Sequence, residues 1–275
     1  MKKYCFLILY IFVSSCSVNP VTGKQDFVMI SENQEIAMGK RYHAQILQQI
    51  PPYQDEELQA YVQEIGDSLS AKSHRPNLFY RFTVLDSPDI NAFALPGGYI
   101  YINRGLMAYL SSEEELAAVL GHEIGHVTAR HSVRQYSQSQ ILGILSTAIE
   151  MNQGRSAGNL ANLASGALLS GYGREMELEA DDLGAQYIYQ EGYSPQGMFN
   201  VLSVLKDQEI YSKALAKKRG QEPRSYHGVF ASHPSNDQRL QEILQEVTNT
   251  YPKGDIKITA NYLKKIEGMV YGDSE

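Results

Sequence analysis

The chain has 275 residues, 43% apolar and 20% charged, with 24 Lys+Arg against 31 Asp+Glu and a formal net charge of −7. That balance belongs to a globular domain and excludes intrinsic disorder, collagen-like sequence and a multi-span membrane protein. The acidic surplus argues against sequence-independent nucleic-acid binding, which needs a basic face for phosphates, so no nucleic-acid partner is expected.

In chain order, residues 1–15 read as an address rather than as fold. Lys2 and Lys3 precede the apolar run 4–13, which is too short for a bilayer span of about 20 residues. Val13-Ser14-Ser15-Cys16 looks like a bacterial lipobox, with cleavage before Cys16 and lipidation of that residue as the membrane anchor. Of the two cysteines, Cys5 would leave with the leader. The mature chain would then have neither a disulfide nor a thiolate, so a metal site must use His, Asp or Glu.

Residues 16–30 are polar and turn-rich and are expected as a tether, with a single domain over 31–275. Ser31 and Gln34 form a capping box opening a helix to about 49, where Pro51-Pro52 stop it. Leu58, Tyr61, Val62, Ile65 and Leu69 have helical spacing and predict a second helix over 55–73. The stretch 78–85 is aromatic and β-branched and predicts a strand. A strand pair is expected at 92–95 and 99–102 around Pro96-Gly97-Gly98. Ser112 with Glu115 is another capping box, and Glu113, Glu114 and Glu115 suit the positive end of the helix they begin. Beyond it come a loop at 151–158, a small-residue helix at 159–171 and a helix at 174–190 closed by Gly192. Ser194-Pro195 starts the next helix, to about 217. A basic flexible loop then leads to His233-Pro234, a helix at 235–247 and a last helix at 255–271.

His122-Glu123-Ile124-Gly125-His126 is an HExxH sequence, a pattern that composition alone yields roughly 0.01 times in a chain like this. Its i, i+4 spacing puts both imidazoles on one helix face, and Glu123 beside them can take a proton from a water. A catalytic zinc needs a third protein ligand and one open position. On the helix 174–190, Glu177 and Asp181 share a face that continues through Gly184 and Ile188, suited to packing on the HExxH helix. Glu177 is therefore assigned as third ligand and Asp181 as the carboxylate that orients a ligand histidine. Glu175 and Glu179 lie with Asp182 on the other, solvated face and stay open as alternative ligands. His43, His74 and His227 have no partner pattern and read as surface or structural, and His131, five residues past His126, lies off the ligand face and reads as packing or as support behind a ligand.

HExxH followed some fifty residues later by ExxxD resembles the zinc metalloprotease family of the CAAX prenyl protease and HtpX. The closer likeness is to its soluble periplasmic lipoprotein branch, typified by BepA. NPVTGKQDFVMIS, NAFALPGGYIYINRGL, GHEIGHVTARH, REMELEADDLG, SHPSNDQR and YLKKIEGMVYGDS carry that likeness over nearly the whole mature chain. It implies an α+β, mainly α-helical, gluzincin-like metalloprotease domain with a small β-sheet beside the HExxH helix. It implies one Zn2+ per chain on His122, His126 and Glu177, with Glu123 as general base and His233 with Arg239 stabilising the oxyanion. If the basic loop closes, His233 could instead fill the open zinc position. Asn91, Ala92 and Phe93 would form an edge strand that binds extended substrate. Relatives continue past the GDS segment, some with a helical-repeat domain, and this chain is expected to work without one.

The expected function is a zinc endopeptidase of the bacterial envelope acting on unfolded or misassembled envelope proteins. In a Gram-negative host it would be lipid-anchored on the periplasmic side of the outer membrane, because Ser17 rather than Asp follows Cys16. The rival reading is a chaperone or assembly factor with a structural zinc, against which the intact Glu123 argues. A weaker one is a zinc hydrolase of cell-wall peptides. Oligomeric state is not legible.

Overall fold

The computed structural model describes residues 16–152, 171–220, 237–251 and 262–270. The leader at 1–15, most of the helix expected at 159–171, the basic loop from 221 on, His227 and His233 lie outside the described residues. Among the described residues no helix is long and apolar enough to cross a membrane.

The segment expected as a tether is folded. β1 (Cys16–Val18) pairs antiparallel with β2 (Gln25–Phe27). Asn19 closes the hairpin: its Oδ1 accepts from the amides of Val21 (2.8 Å) and Thr22 (3.1 Å), and its Nδ2 donates to Asp26 at 2.7 Å. The hairpin is docked on the body, with Val28 buried and the Met29 amide donating to Ser137 Oγ at 3.0 Å. Side-chain bonds of this kind leave no apolar periodicity, which is why composition reads as tether.

α1 (Glu32–Gln49) begins at the Ser31–Gln34 capping box, with both reciprocal bonds formed. α2 (Glu56–Ser70) is capped by Asp55, whose carboxylate accepts from the Leu58 amide at 2.9 Å. Its Leu58, Val62, Ile65 and Leu69 are buried, each contributing roughly 1.5–3 kcal/mol of hydrophobic stabilisation. The main sheet has the order β3 (Arg81–Leu85), β5 (Tyr99–Asn103), β4 (Ala92–Leu95), with β3 parallel and β4 antiparallel to β5. Alternation divides its faces. Phe82, Val84, Ala92, Ala94, Ile100 and Ile102 join the large core with α2, whereas Leu85, Phe93, Leu95 and Tyr101 meet Tyr42 and Ile46 of α1 and Ile50 just past its end. At the β4–β5 turn Gly98 is left-handed (φ 91°), and a Cβ there would stand 2.2 Å from the Phe79 carbonyl oxygen.

A single turn, α3 (Arg104–Met107), leads to α4 (Glu113–Thr128), which is buried from Glu115 onward. Ser112 caps α4 through the Glu115 amide, but the reciprocal arm goes one residue back, the Ser111 amide donating to Glu115 Oε2 at 2.7 Å. Arg130 (φ 56°) breaks the helix before α5 (His131–Asn152). α6 (Arg174–Gln190), α7 (Gln196–Lys218) and α8 (Asp237–Thr250) follow. The last helix ends earlier than predicted. Among the described residues of the expected helix 255–271, only α9 (Tyr262–Lys265) is helical, and Gly268 (φ 85°) turns the chain away.

α4 packs on α6 through small residues. A Cβ on Gly125 would lie 2.9 Å from the Ala180 carbonyl oxygen, and one on Gly184 would lie 2.9 Å from the His122 amide nitrogen. Backbones this close leave room only for short contacts between the side chains beside them.

Candidate metal centre

The close crossing of α4 and α6 brings His122, His126 and Glu177 together, all three buried, with one donor atom of each within 4.8 Å of the others. The Nε2 atoms of His122 and His126 are 3.0 Å apart. Glu177 Oε2 is 3.6 Å from His122 Nε2, and its Oε1 is 3.5 Å from His126 Nε2. A tetrahedral zinc with ligands at about 2.0–2.1 Å requires donor separations of roughly 3.3–3.4 Å. The triangle therefore fits a divalent metal. The bonds behind it agree: both Nδ1 atoms are engaged outward, so the two Nε2 atoms face one another and call for a cation between them.

Asp181 Oδ1 lies 2.8 Å from His122 Nδ1. Arg239 of α8 reaches the same carboxylate with two donors, Nε to Oδ2 and Nη2 to Oδ1, both at 2.7 Å. Its Nη1 lies 2.8 Å from Glu177 Oε2. Burial alone would raise the Asp181 carboxyl, but Arg239 and His122 outweigh it and hold the group at about 2. The buried guanidinium is in turn held charged: burial opposes the charge, and Asp181, Glu177 and Glu123 more than compensate.

His126 has a different outer partner. Its Nδ1 is 2.7 Å from Nδ1 of His131, whose Nε2 is 3.0 Å from Glu179 Oε2. Arg134 Nη1 donates to the same Glu179 oxygen at 3.2 Å. Glu179, expected on a solvated face, is thus half-buried and paired, while Glu175 and Asp182 are exposed. The reason is the left-handed Arg130, which swings α5 and its His131 under α4 instead of continuing the helix. Tyr172 covers the other side of His126, stacked at 4.0 Å between ring centroids, with its hydroxyl 2.6 Å from Ser132 Oγ. No sequence pattern marked Tyr172; proximity to the Glu177 helix was its only signal.

Glu123 is 2% exposed and follows His122 on α4. β4, with Ala92 and Phe93 and preceded by Asn91, runs beside α4. The two sheet edges differ. Along β3, Gln59 bonds both backbone groups of Val84 (2.8 and 2.9 Å) and Gln63 accepts from the Phe82 amide at 3.0 Å. Along β4, the Asn103 amide donates to the Asn91 carbonyl at 2.9 Å, so by alternation the backbone groups of Ala92 and Ala94 point away from β5.

Residues 56–247 match peptidase family M48. The chain is a member of that family. It is 31% identical over 245 residues to the beta-barrel assembly-enhancing protease of Yersinia pestis, covering 85% of this chain and 48% of that relative. To the metalloprotease YcaL of Escherichia coli it is 30% identical over 172 residues, 61% of this chain and 62% of the relative. To the mitochondrial metalloendopeptidase OMA1 of Schizosaccharomyces pombe it is 28% identical over 236 residues, 82% and 64% respectively. The chain thus spans about half the length of the Yersinia relative. The M48 stretch contains the metal triangle, Glu123, Asp181 and Arg239, and the β1–β2 hairpin and α1 precede it.

Proposed function

We propose that this M48 chain is a zinc-dependent endopeptidase of the bacterial cell envelope that cuts unfolded or misassembled envelope proteins. The observation that carries the reading is the buried His122–His126–Glu177 triangle with Glu123 next to it on α4. His122, His126 and Glu177 would hold a zinc ion, which would supply Lewis acidity toward a peptide carbonyl and a water. Glu123 takes the proton of the attacking water and returns it to the leaving amine. Asp181 and Arg239 hold His122 and Glu177 in place. The oxyanion role proposed for Arg239 together with His233 requires one of the Arg239 N–H groups to turn from a carboxylate to the substrate. β4 offers the outward backbone groups of Ala92 and Ala94 to an extended peptide, which pairs as an added strand.

The names of the relatives, a beta-barrel assembly-enhancing protease and a metalloendopeptidase, support proteins as substrates. Cys16 is the proposed lipid attachment point. Because β1 begins there and Arg130 Nη1 donates to Ser17 Oγ at 2.8 Å, the anchor would sit directly on the folded body. In a Gram-negative host the molecule would face the periplasm from the outer membrane.

The deciding experiment compares wild type with Glu123→Gln for zinc content and cleavage of casein, and captures bound proteins in cells. Glu123→Gln should keep its zinc and lose cleavage by about 10²–10⁴-fold, while retaining envelope proteins. Wild-type cleavage by that variant removes Glu123 as the base, whereas a zinc-loaded wild type that binds envelope proteins without cutting casein overturns the enzyme reading and favours a chaperone with a structural zinc.

A further inference from the structure

His131 is wholly buried, 0% exposed, and no step of the chemistry above uses it. Its Nδ1 stands 2.7 Å from Nδ1 of His126 and its Nε2 stands 3.0 Å from Glu179 Oε2. The protons can be placed from these contacts. If His126 Nε2 offers its lone pair to a metal, the ring hydrogen is on Nδ1 and is donated outward. His131 Nδ1 then accepts, so the hydrogen of His131 is on Nε2 and is donated to the Glu179 carboxylate. One neutral tautomer of His131 satisfies both bonds. Arg134 fixes Glu179 at 3.2 Å, and its Nε is 3.3 Å from Asp26 of β2.

We propose that His131 is a positioning residue for the metal ligand His126: it relays the Glu179 carboxylate to that imidazole, as Asp181 serves His122 directly. The two ligand histidines are therefore oriented by different devices, one carboxylate in contact and one carboxylate acting through a second imidazole. The outermost link, Arg134 to Asp26, joins partly exposed side chains, and such pairs contribute little. The relay's strength lies in its buried inner links.

This inference rests on the metal reading of His122, His126 and Glu177. The test uses the full chain and measures zinc dissociation constants by competition with a chromophoric chelator, together with the visible spectrum of the cobalt(II) form. His131→Phe should weaken zinc binding about 10–100-fold and shift the cobalt bands. His131→Gln, whose amide can accept from His126 and donate to Glu179, should recover most of the loss. Glu179→Gln should fall between them, and Asp26→Asn should stay near wild type. Wild-type affinity and spectrum in His131→Phe overturn the proposal, as do equal losses in His131→Phe and His131→Gln, which would mean packing alone. If His131→Phe does not fold, Glu179→Gln decides, and unchanged affinity there overturns the relay. Failure of the wild-type chain itself to bind zinc would instead overturn the metal reading.

Discussion

At Arg239, a guanidinium that is 3% exposed meets Asp181 with two donors at 2.7 Å and Glu177 with a third at 2.8 Å. Removing it would leave two buried carboxylates side by side, so Arg239→Ala should cost about 3–5 kcal/mol in urea unfolding and lower zinc content. Arg239→Lys should rescue little, because a point charge cannot reproduce the planar fork. Asp181 gives the matching pH effect. Its carboxyl is depressed from 3.8 to about 2, so the stability it contributes is present above the unfolded value and is lost as pH falls toward 2. Thermal unfolding between pH 4 and pH 2 should be steeper in wild type than in Asp181→Asn.

The α4–α6 pair shows how an element sets a distance. Gly125 and Gly184 are required because Cβ atoms there would meet backbone, the Ala180 oxygen and the His122 nitrogen, at 2.9 Å. Gly125→Ala should therefore separate the helices, cost about 1–3 kcal/mol and weaken zinc binding, since Glu177 moves with α6. Differential scanning calorimetry with a chelator titration checks both. β4 makes a prediction on substrate rather than on metal. Ala94→Pro removes an outward N–H from the edge strand, so KM for an extended peptide should rise several-fold while zinc affinity is unchanged. An unchanged KM would remove β4 from the substrate site.

Across the whole molecule, α8 must stay on α6, because Arg239 rides on it. Glu246 sits at that contact, and burial together with its hydrogen bond and repulsion from Asp182 pushes its carboxyl up to about 8, with Tyr251 donating to it at 3.1 Å. A carboxyl raised from 4.5 is best accommodated protonated, so its contribution falls as pH rises from the unfolded value through about 8. Glu246→Gln should flatten that loss and raise Tm at pH 8–9 by about 2–4 °C, measured by circular dichroism melts at several pH values. The N-terminal end is held as firmly. Arg75 and Arg130 share the buried Glu35 at 2.7 and 2.8 Å, tying α1 to the loop between α2 and β3 and to the end of α4.

What the sequence by itself determined follows from local rules. Capping at Ser31 and Ser112, the apolar stripe of α2 and the glycine turn before β5 act within a few residues, so they are legible one after another. The HExxH face and the shared face of Glu177 and Asp181 follow from 3.6 residues per turn. Other features were decided only by tertiary structure. The hairpin at 16–27 has no apolar signature and exists because Asn19 closes it and the body receives it. On a continuous helix His131 lies off the ligand face, and the left-handed Arg130, held by Glu35 and Ser17, is what carries it beneath His126. Glu179 read as solvated because helical phase knows nothing of α5. The partners of Arg239 were hidden for the same reason: 58 residues separate it from Asp181, and only the packing of α8 on α6 brings opposite charges into a space from which water is excluded.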